Sequence, residues 1–178
     1  MADKRQLRLD IKQKLEKLTD SEKEKMSQVI FNKVSALEEY KRAKSVFCFM
    51  SDFNEPYSID FIKKAIKEGK KVYVPKTDDD NMSAVEVDED TEFWFNKYGI
   101  LEPKDGHGSE DIDFTVVPMV GFDSQNNRLG HGKAYYDKFL SKVKTYKCGV
   151  AFGCQKIDVP FAESCDVPLD MVITDESN

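Results

Sequence analysis

Apolar residues recur every three or four positions at the start of the chain, at Leu7, Ile11, Leu15 and Leu18, and this spacing predicts an amphipathic helix over residues 3–18. Thr19 followed by Glu22 is a capping-box pattern that starts a second helix, with Met26, Ile30, Val34 and Leu37 as its apolar face. The pattern then changes: SVFCFM (45–50) is a continuous apolar run of strand length. Ile59, Ile62 and Ile66, with Phe61 beside them, return to helical spacing, and that helix stops at Gly69, the residue type favoured just past a helix end. KVYVP (71–75) reads as a strand, MSAVEV (82–87) alternates like a half-exposed edge strand, and FTVVP (114–118) reads as a central one. Residues 133–143 read as a helix burying Tyr136, Phe139, Leu140 and Val143, and KCGVAF (147–152) and MVIT (171–174) complete a sheet of about six strands. Strand, helix, strand in that order implies a right-handed crossover and a parallel sheet. With no internal repeat, low-complexity segment or linker, residues 1–178 read as one α/β domain.

Composition narrows the classes. A chain of 178 residues, 40% hydrophobic and 34% charged, fits a globular protein that buries about 70% of its unfolded surface. A net charge of −6 argues against general nucleic-acid binding, which needs a basic face. No apolar run approaches the ~18 residues of a membrane span. MADKRQLRLD has no apolar stretch of a signal peptide, so the cytoplasm is the expected address. Cysteines at 48, 148, 154 and 165 form no CxxC pair, and Cys48 and Cys148 sit in strand-like runs, as small core residues in a reducing compartment would. TDDDN (77–81) and DED (88–90) read as solvated loops, and His107 as an exposed loop residue.

Against this acidic background, NRLGHGKAYYD (127–137) concentrates two glycines, two permanently basic side chains and a histidine. A glycine-containing loop between a strand and a helix builds anion sites in α/β folds, because the chain turns sharply and the helix start offers unpaired N–H groups. Arg128 and Lys133 flank the glycines, and Asp137, one turn after Lys133, is placed to hold a Mg²⁺ ion beside phosphates. The spacing is neither that of a P-loop nor the dinucleotide GxGxxG. A solvated helix with a Lys133–Asp137 i,i+4 pair is the structural alternative. Lys4, Arg8 and Lys12 form a second basic stripe along the first helix, which an anion or the nearby Asp3 and Asp10 would relieve.

VPMVGFDSQNNRLGHGKAYYDKFL (117–140) resembles the signature of the 5-formyltetrahydrofolate cyclo-ligase family, also called methenyltetrahydrofolate synthetases. KRQLR (4–8), FMSDFNEPYSID (49–60), KKVYVPK (70–76), YGILEP (98–103) and DVPLDMVIT (166–174) are similar to further family segments in the same order. The resemblance implies a single-domain, mostly parallel sheet flanked by helices, similar to the sugar-phosphate isomerase and CoA-transferase-like group. It implies ATP-dependent conversion of 5-formyltetrahydrofolate to 5,10-methenyltetrahydrofolate, with ADP and phosphate released and Mg²⁺ as cofactor. The implied partners are ATP and the folate, with or without further glutamates on its tail; charge and apolar pattern argue against nucleic acid and membrane, and the assembly expected is a monomer or weak homodimer.

By position, the resemblance implies ATP contacts from Lys4, Arg8, Arg128, Gly130, His131, Gly132, Lys133, Ala134, Tyr135 and Tyr136, with Lys133, Arg128 and Tyr136 as catalytic residues. It implies folate contacts from Met50 and Glu55 and Mg²⁺ held by Asp137 and Asp170, while Trp94 and Phe95 are either a wall of the folate site or packed aromatics. Two positions depart from the family pattern. His131 stands where an arginine is common, which predicts weaker ATP binding at higher pH. Ala134 stands where a glycine is common, and a right-handed helix start is expected there. The competing readings are a non-catalytic folate-binding protein on the same scaffold and, from fold analogy alone, a sugar-phosphate isomerase or sensor domain.

Overall fold

The computed structural model describes residues 2–78, 81–163 and 166–177. Cys165 lies outside the described residues, as do two positions of the 77–81 acidic segment. In chain order the strands are Ser45–Cys48 (β1), Lys71–Thr77 (β2), Met82–Val87 (β3), Phe93–Phe95 (β4), Leu101–Pro103 (β5), Phe114–Pro118 (β6), Gly121–Phe122 (β7), Arg128–Leu129 (β8), Tyr146–Val150 (β9) and Met171–Ile173 (β10). The helices are Lys4–Leu15 (α1), Asp20–Ala36 (α2), Glu38–Arg42 (α3), Ile59–Lys67 (α4) and Tyr135–Leu140 (α5).

Six strands form the main sheet in the order β10-β9-β6-β1-β2-β3. Every pairing is parallel except β2 with the edge strand β3. All residues of β1 and β6 are buried, as strands covered on both faces must be, so their sequences read as unbroken apolar runs. One core joins Ile11, Ile30, Val34, Phe61, Val46 and Phe114, from α1, α2, α4 and the sheet. The other joins Phe47, Val117 and Met119 to Phe139 and Leu140 of α5.

The expected helices and strands are present with adjusted ends. The Thr19–Glu22 capping box is formed in both directions and separates α1 from α2. The helix expected over 133–143 is shorter, because Ala134 takes a left-handed conformation (φ 54°, ψ 18°) and α5 starts only at Tyr135. The right-handed start expected at Ala134 is therefore corrected. Two ribbons, β4–β5 and β7–β8, and the short α3 carry no clear signal in the hydrophobic pattern. The β7–β8 ribbon matters most: it lies between β6 and α5, so the glycine loop leaves a hairpin and not the central strand itself. Gln155, fully buried, fastens that ribbon by donating Nε2 to the carbonyls of Met119 and Val120, both at 2.9 Å.

Candidate active site

The carboxyl ends of β1 and β6 carry the groups that the sequence singles out, as expected for a ligand site in an open α/β sheet. After β8 the chain enters the glycine loop, and α1 is clipped across it: Arg8 donates Nε–H to the Gly130 carbonyl at 2.8 Å. Gly132 has φ +97°, a conformation that disfavours side chains. A Cβ at Gly130 would lie 2.8 Å from Arg128 Nη1, so glycine is what lets that guanidinium fold beneath the loop. Arg128 is buried, donates Nη2 to Asp137 Oδ2 at 2.9 Å and Nη1 to the Pro118 carbonyl at 3.3 Å, and lies over the Tyr136 ring. Its Nε and the Tyr136 hydroxyl are buried without a hydrogen-bond partner among the described residues.

Asp137 thus pairs with Arg128 and not, as an i,i+4 reading suggests, with Lys133. Lys133 precedes the left-handed Ala134, lies outside α5, and sets Nζ 3.6 Å above the ring of Tyr98. Tyr98 sits between β4 and β5, so this contact joins that ribbon to the glycine loop, and Lys133 holds the Tyr98 phenol below its usual range. Tyr135 donates its hydroxyl to the Asp78 carbonyl at 3.4 Å. Trp94 and Phe95 are 54% and 68% exposed, so they are not packed into a core.

The aspartates sort differently from expectation. Asp170 accepts from Lys147 N at 2.7 Å, near the start of β9, whereas Arg128 and Asp137 sit by Pro118, which is in register with Val150 at the far end of that strand. Three residues of strand separate the two places, roughly 10 Å. The structure therefore does not bring Asp170 and Asp137 together. Asp166 takes the near position: it accepts from Lys4 Nζ at 3.0 Å, and Val167 N points to Asp137 Oδ1 at 3.5 Å. Burial pushes the Asp166 carboxyl up, but the Glu163 amide and the Lys4 ammonium outweigh it and hold the group below the usual carboxylate range.

Across the site, the loop after β1 is tied to α2 by Lys23 Nζ on the Phe53 carbonyl (2.9 Å) and Ser27 Oγ under Tyr57 N (2.9 Å). This loop buries Glu55, whose Oε2 accepts from Asp52 N at 3.0 Å. His131 Nε2 faces Glu55 Oε1 at 3.7 Å. Burial raises the Glu55 carboxyl, and the facing carboxylate raises the His131 imidazole. Met50, buried beside this loop, lines a groove that runs along α4.

One wall thus holds cations and glycine backbone, and the other holds a buried carboxylate beside apolar surface. That division suits an anionic phosphate donor meeting an uncharged, hydrogen-bonding ring. No group of three or more His, Cys, Asp or Glu side chains arranged to hold a metal ion occurs among the described residues. A Mg²⁺ ion bound chiefly to phosphates needs only one or two carboxylates, and Asp137 with Asp166 meets that requirement. Asp166 escaped the sequence reading because only the fold shows which aspartate of DVPLD faces Arg128 and Lys4.

Residues 1–175 match the 5-formyltetrahydrofolate cyclo-ligase family. The chain is 30% identical to the mouse 5-formyltetrahydrofolate cyclo-ligase over 194 residues, covering 98% of this chain and 94% of that one. Against the Schizosaccharomyces pombe probable 5-formyltetrahydrofolate cyclo-ligase it is 38% identical over 151 residues, covering 80% and 74%. The NMR structure of Aquifex aeolicus 5,10-methenyltetrahydrofolate synthetase superposes with a TM-score of 0.88 at 31% identity, covering 98% of this chain and 90% of that one.

Proposed function

Because the chain belongs to the 5-formyltetrahydrofolate cyclo-ligase family, we propose that it converts 5-formyltetrahydrofolate to 5,10-methenyltetrahydrofolate with cleavage of ATP to ADP and phosphate. The observation that carries this reading is the Arg128–Asp137 pair beneath a glycine loop that Arg8 clips from above. That arrangement concentrates donors for a polyphosphate next to a folate-sized apolar groove.

The chemistry explains why such a site suffices. A formamide carbon is a poor electrophile because its nitrogen donates into the carbonyl. Transfer of the γ-phosphoryl group to the formyl oxygen breaks the bond to ADP and leaves an iminium carbon bearing a phosphate. The neighbouring aryl nitrogen attacks that carbon and loses its proton. The C–O bond then breaks, and phosphate departs with the former formyl oxygen. No covalent nucleophile is needed; positioning and charge balance carry the reaction.

In this reading Lys4 and Arg8 reach the phosphates from α1, and Arg128 and Lys133 balance charge at the transferring group. The amides of residues 130–136 line the cradle. Lys133 leaves Tyr98 to do so, and the unpartnered Arg128 Nε and Tyr136 hydroxyl gain acceptors when substrates arrive. Asp137 and Asp166 would hold Mg²⁺, which would supply charge neutralisation on the polyphosphate. Glu55 accepts from donor groups of the pterin, and Met50 packs against its ring. Among the described residues no helix is long and apolar enough to cross a membrane. Cys48 and Cys148 are buried free thiols, in keeping with the cytoplasmic address we assign.

The test is spectroscopic. Protein, 5-formyltetrahydrofolate and Mg·ATP should yield the near-ultraviolet band of the methenyl product with one ADP per product, and Asp137→Asn should abolish both. Folate binding without product or ADP would refute the ligase in favour of a sequestering protein.

A further inference from the structure

The groove along α4 has a feature that phosphoryl transfer does not use. It encloses about 450 Å³ between Ile59, Ile62 and Ile66 of α4 and Val87, Phe93 and Leu101 of β3 and the β4–β5 ribbon. Met50 lines it too, and β1 ends two residues earlier. α4 begins where the chain leaves β1 and returns to the start of β2, so the groove runs from the site toward the opposite end of the sheet. Two lysines, Lys63 and Lys67, stand along that path at its rim. They are exposed and four residues apart, so they rise in line, about 6 Å apart along the helix. Among the described residues neither has an ion-pair partner, while the neighbouring Lys64 is paired with Glu68 at 3.8 Å. On the facing lip, Asp88 is engaged in its own turn, accepting from Thr91 Oγ1 and Asp90 N, and Glu89 is the remaining carboxylate.

An apolar channel that starts at a catalytic site and ends between two unpaired ammonium groups matches a ligand with an aromatic segment followed by carboxylates. Resting on the folate reading above, we propose that the groove takes the p-aminobenzoyl segment of the substrate and that Lys63 and Lys67 bind the carboxylates of its glutamate. The apolar floor desolvates the ring, while the lysines stay at the solvent edge, where ammonium groups need not give up their hydration. Charge at the rim then selects folates that carry the glutamate over those that lack it. Because these pairs are exposed, the preference weakens as salt is raised.

Binding can be followed by the fluorescence of Trp94, the one tryptophan of the chain, whose neighbour Phe93 lines the groove. Binding of 5-formyltetrahydrofolate should be compared with binding of 5-formyltetrahydropteroate, which lacks the glutamate, in the wild type and in Lys63→Gln/Lys67→Gln. The wild type should prefer the glutamate form about tenfold, the size that two partly exposed charge pairs reach together. The double variant should bind both compounds alike, with its affinity for the pteroate unchanged. Equal wild-type affinities, or a preference that survives in the double variant, would overturn the subsite. Turnover measured alongside separates the two readings. Product without a glutamate preference would refute the subsite and keep the ligase, whereas a lysine-dependent preference without product would keep the subsite and refute the ligase.

Discussion

His131 of the glycine loop and Glu55 of the loop after β1 face each other with Nε2 and Oε1 3.7 Å apart, so the two walls of the site meet at a titratable pair. The Glu55 carboxylate raises the imidazole above its usual 6.5, and burial raises the Glu55 carboxyl above its usual 4.5. Both groups therefore hold protons more tightly in the folded chain than in the unfolded one. Stability from the histidine is fully present below about pH 6.5 and is lost as pH rises through the raised folded value. The cost of ionising buried Glu55 grows as pH rises past the ordinary carboxylate value, which has the same sign.

Stability should thus fall between about pH 5 and 8. His131→Gln should flatten the upper part of that slope, and Glu55→Gln should flatten both parts. The imidazole is mostly exposed, so its share stays below about 1 kcal/mol. Urea unfolding at several pH values decides this: a slope unchanged in both variants would refute the coupling. The same pair carries the expected loss of ATP affinity to higher pH than a free histidine would give, read as the Michaelis constant for ATP.

Arg8→Ala should raise that Michaelis constant by tenfold or more, because it removes a charge-assisted donor that also fixes the Gly130 carbonyl. Arg8→Lys keeps the charge without the planar fork and should recover only part of the loss. A lowered unfolding midpoint with unchanged ATP affinity would show that Arg8 is only a clip between α1 and the loop.

What the sequence made legible follows from how local each signal is. FTVVP and the Thr19–Glu22 box declare themselves because burial on both faces and a three-residue cap leave marks on adjacent positions. Lys133–Asp137 misleads for the same reason: its spacing is helical, but the left-handed Ala134 takes Lys133 out of the helix. The β4–β5 ribbon shows three exposed aromatics in a row, without the alternation that reveals a strand. Asp166 and Asp170 are four residues apart in one recognisable segment, and only the sheet shows which end of β9 each one faces.

That distinction yields a contrasting pair of variants. Asp166→Asn should raise the Mg²⁺ concentration for half-maximal turnover about tenfold, since it removes one of two carboxylates available to the ion. Asp170→Asn should leave the Mg²⁺ dependence alone and cost less than about 1 kcal/mol of stability, because its amide oxygen can still accept from Lys147 N and only the part-exposed ion pair with Lys147 Nζ is lost. Turnover measured against Mg²⁺, together with unfolding of each variant, separates the roles. A shift in Asp170→Asn and none in Asp166→Asn would reverse the assignment.

Ala134 offers a test in which the ordinary rule for helices inverts. Replacing alanine by glycine inside a helix costs about 0.5–1 kcal/mol, because glycine loses more backbone freedom on folding. Ala134 precedes the helix with φ 54°, and a left-handed alanine carries a steric cost of roughly 1–2 kcal/mol. Ala134→Gly removes that cost and adds the smaller entropic one, so it should stabilise the chain by up to about 1 kcal/mol. The gain should appear as a higher urea midpoint with an unchanged dependence on denaturant. The variant also frees the hinge between Lys133 and α5, so Lys133 should leave the Tyr98 ring more readily and ATP affinity should hold or improve. A loss of about 1 kcal/mol would place residue 134 in ordinary right-handed helix and refute the left-handed start of α5.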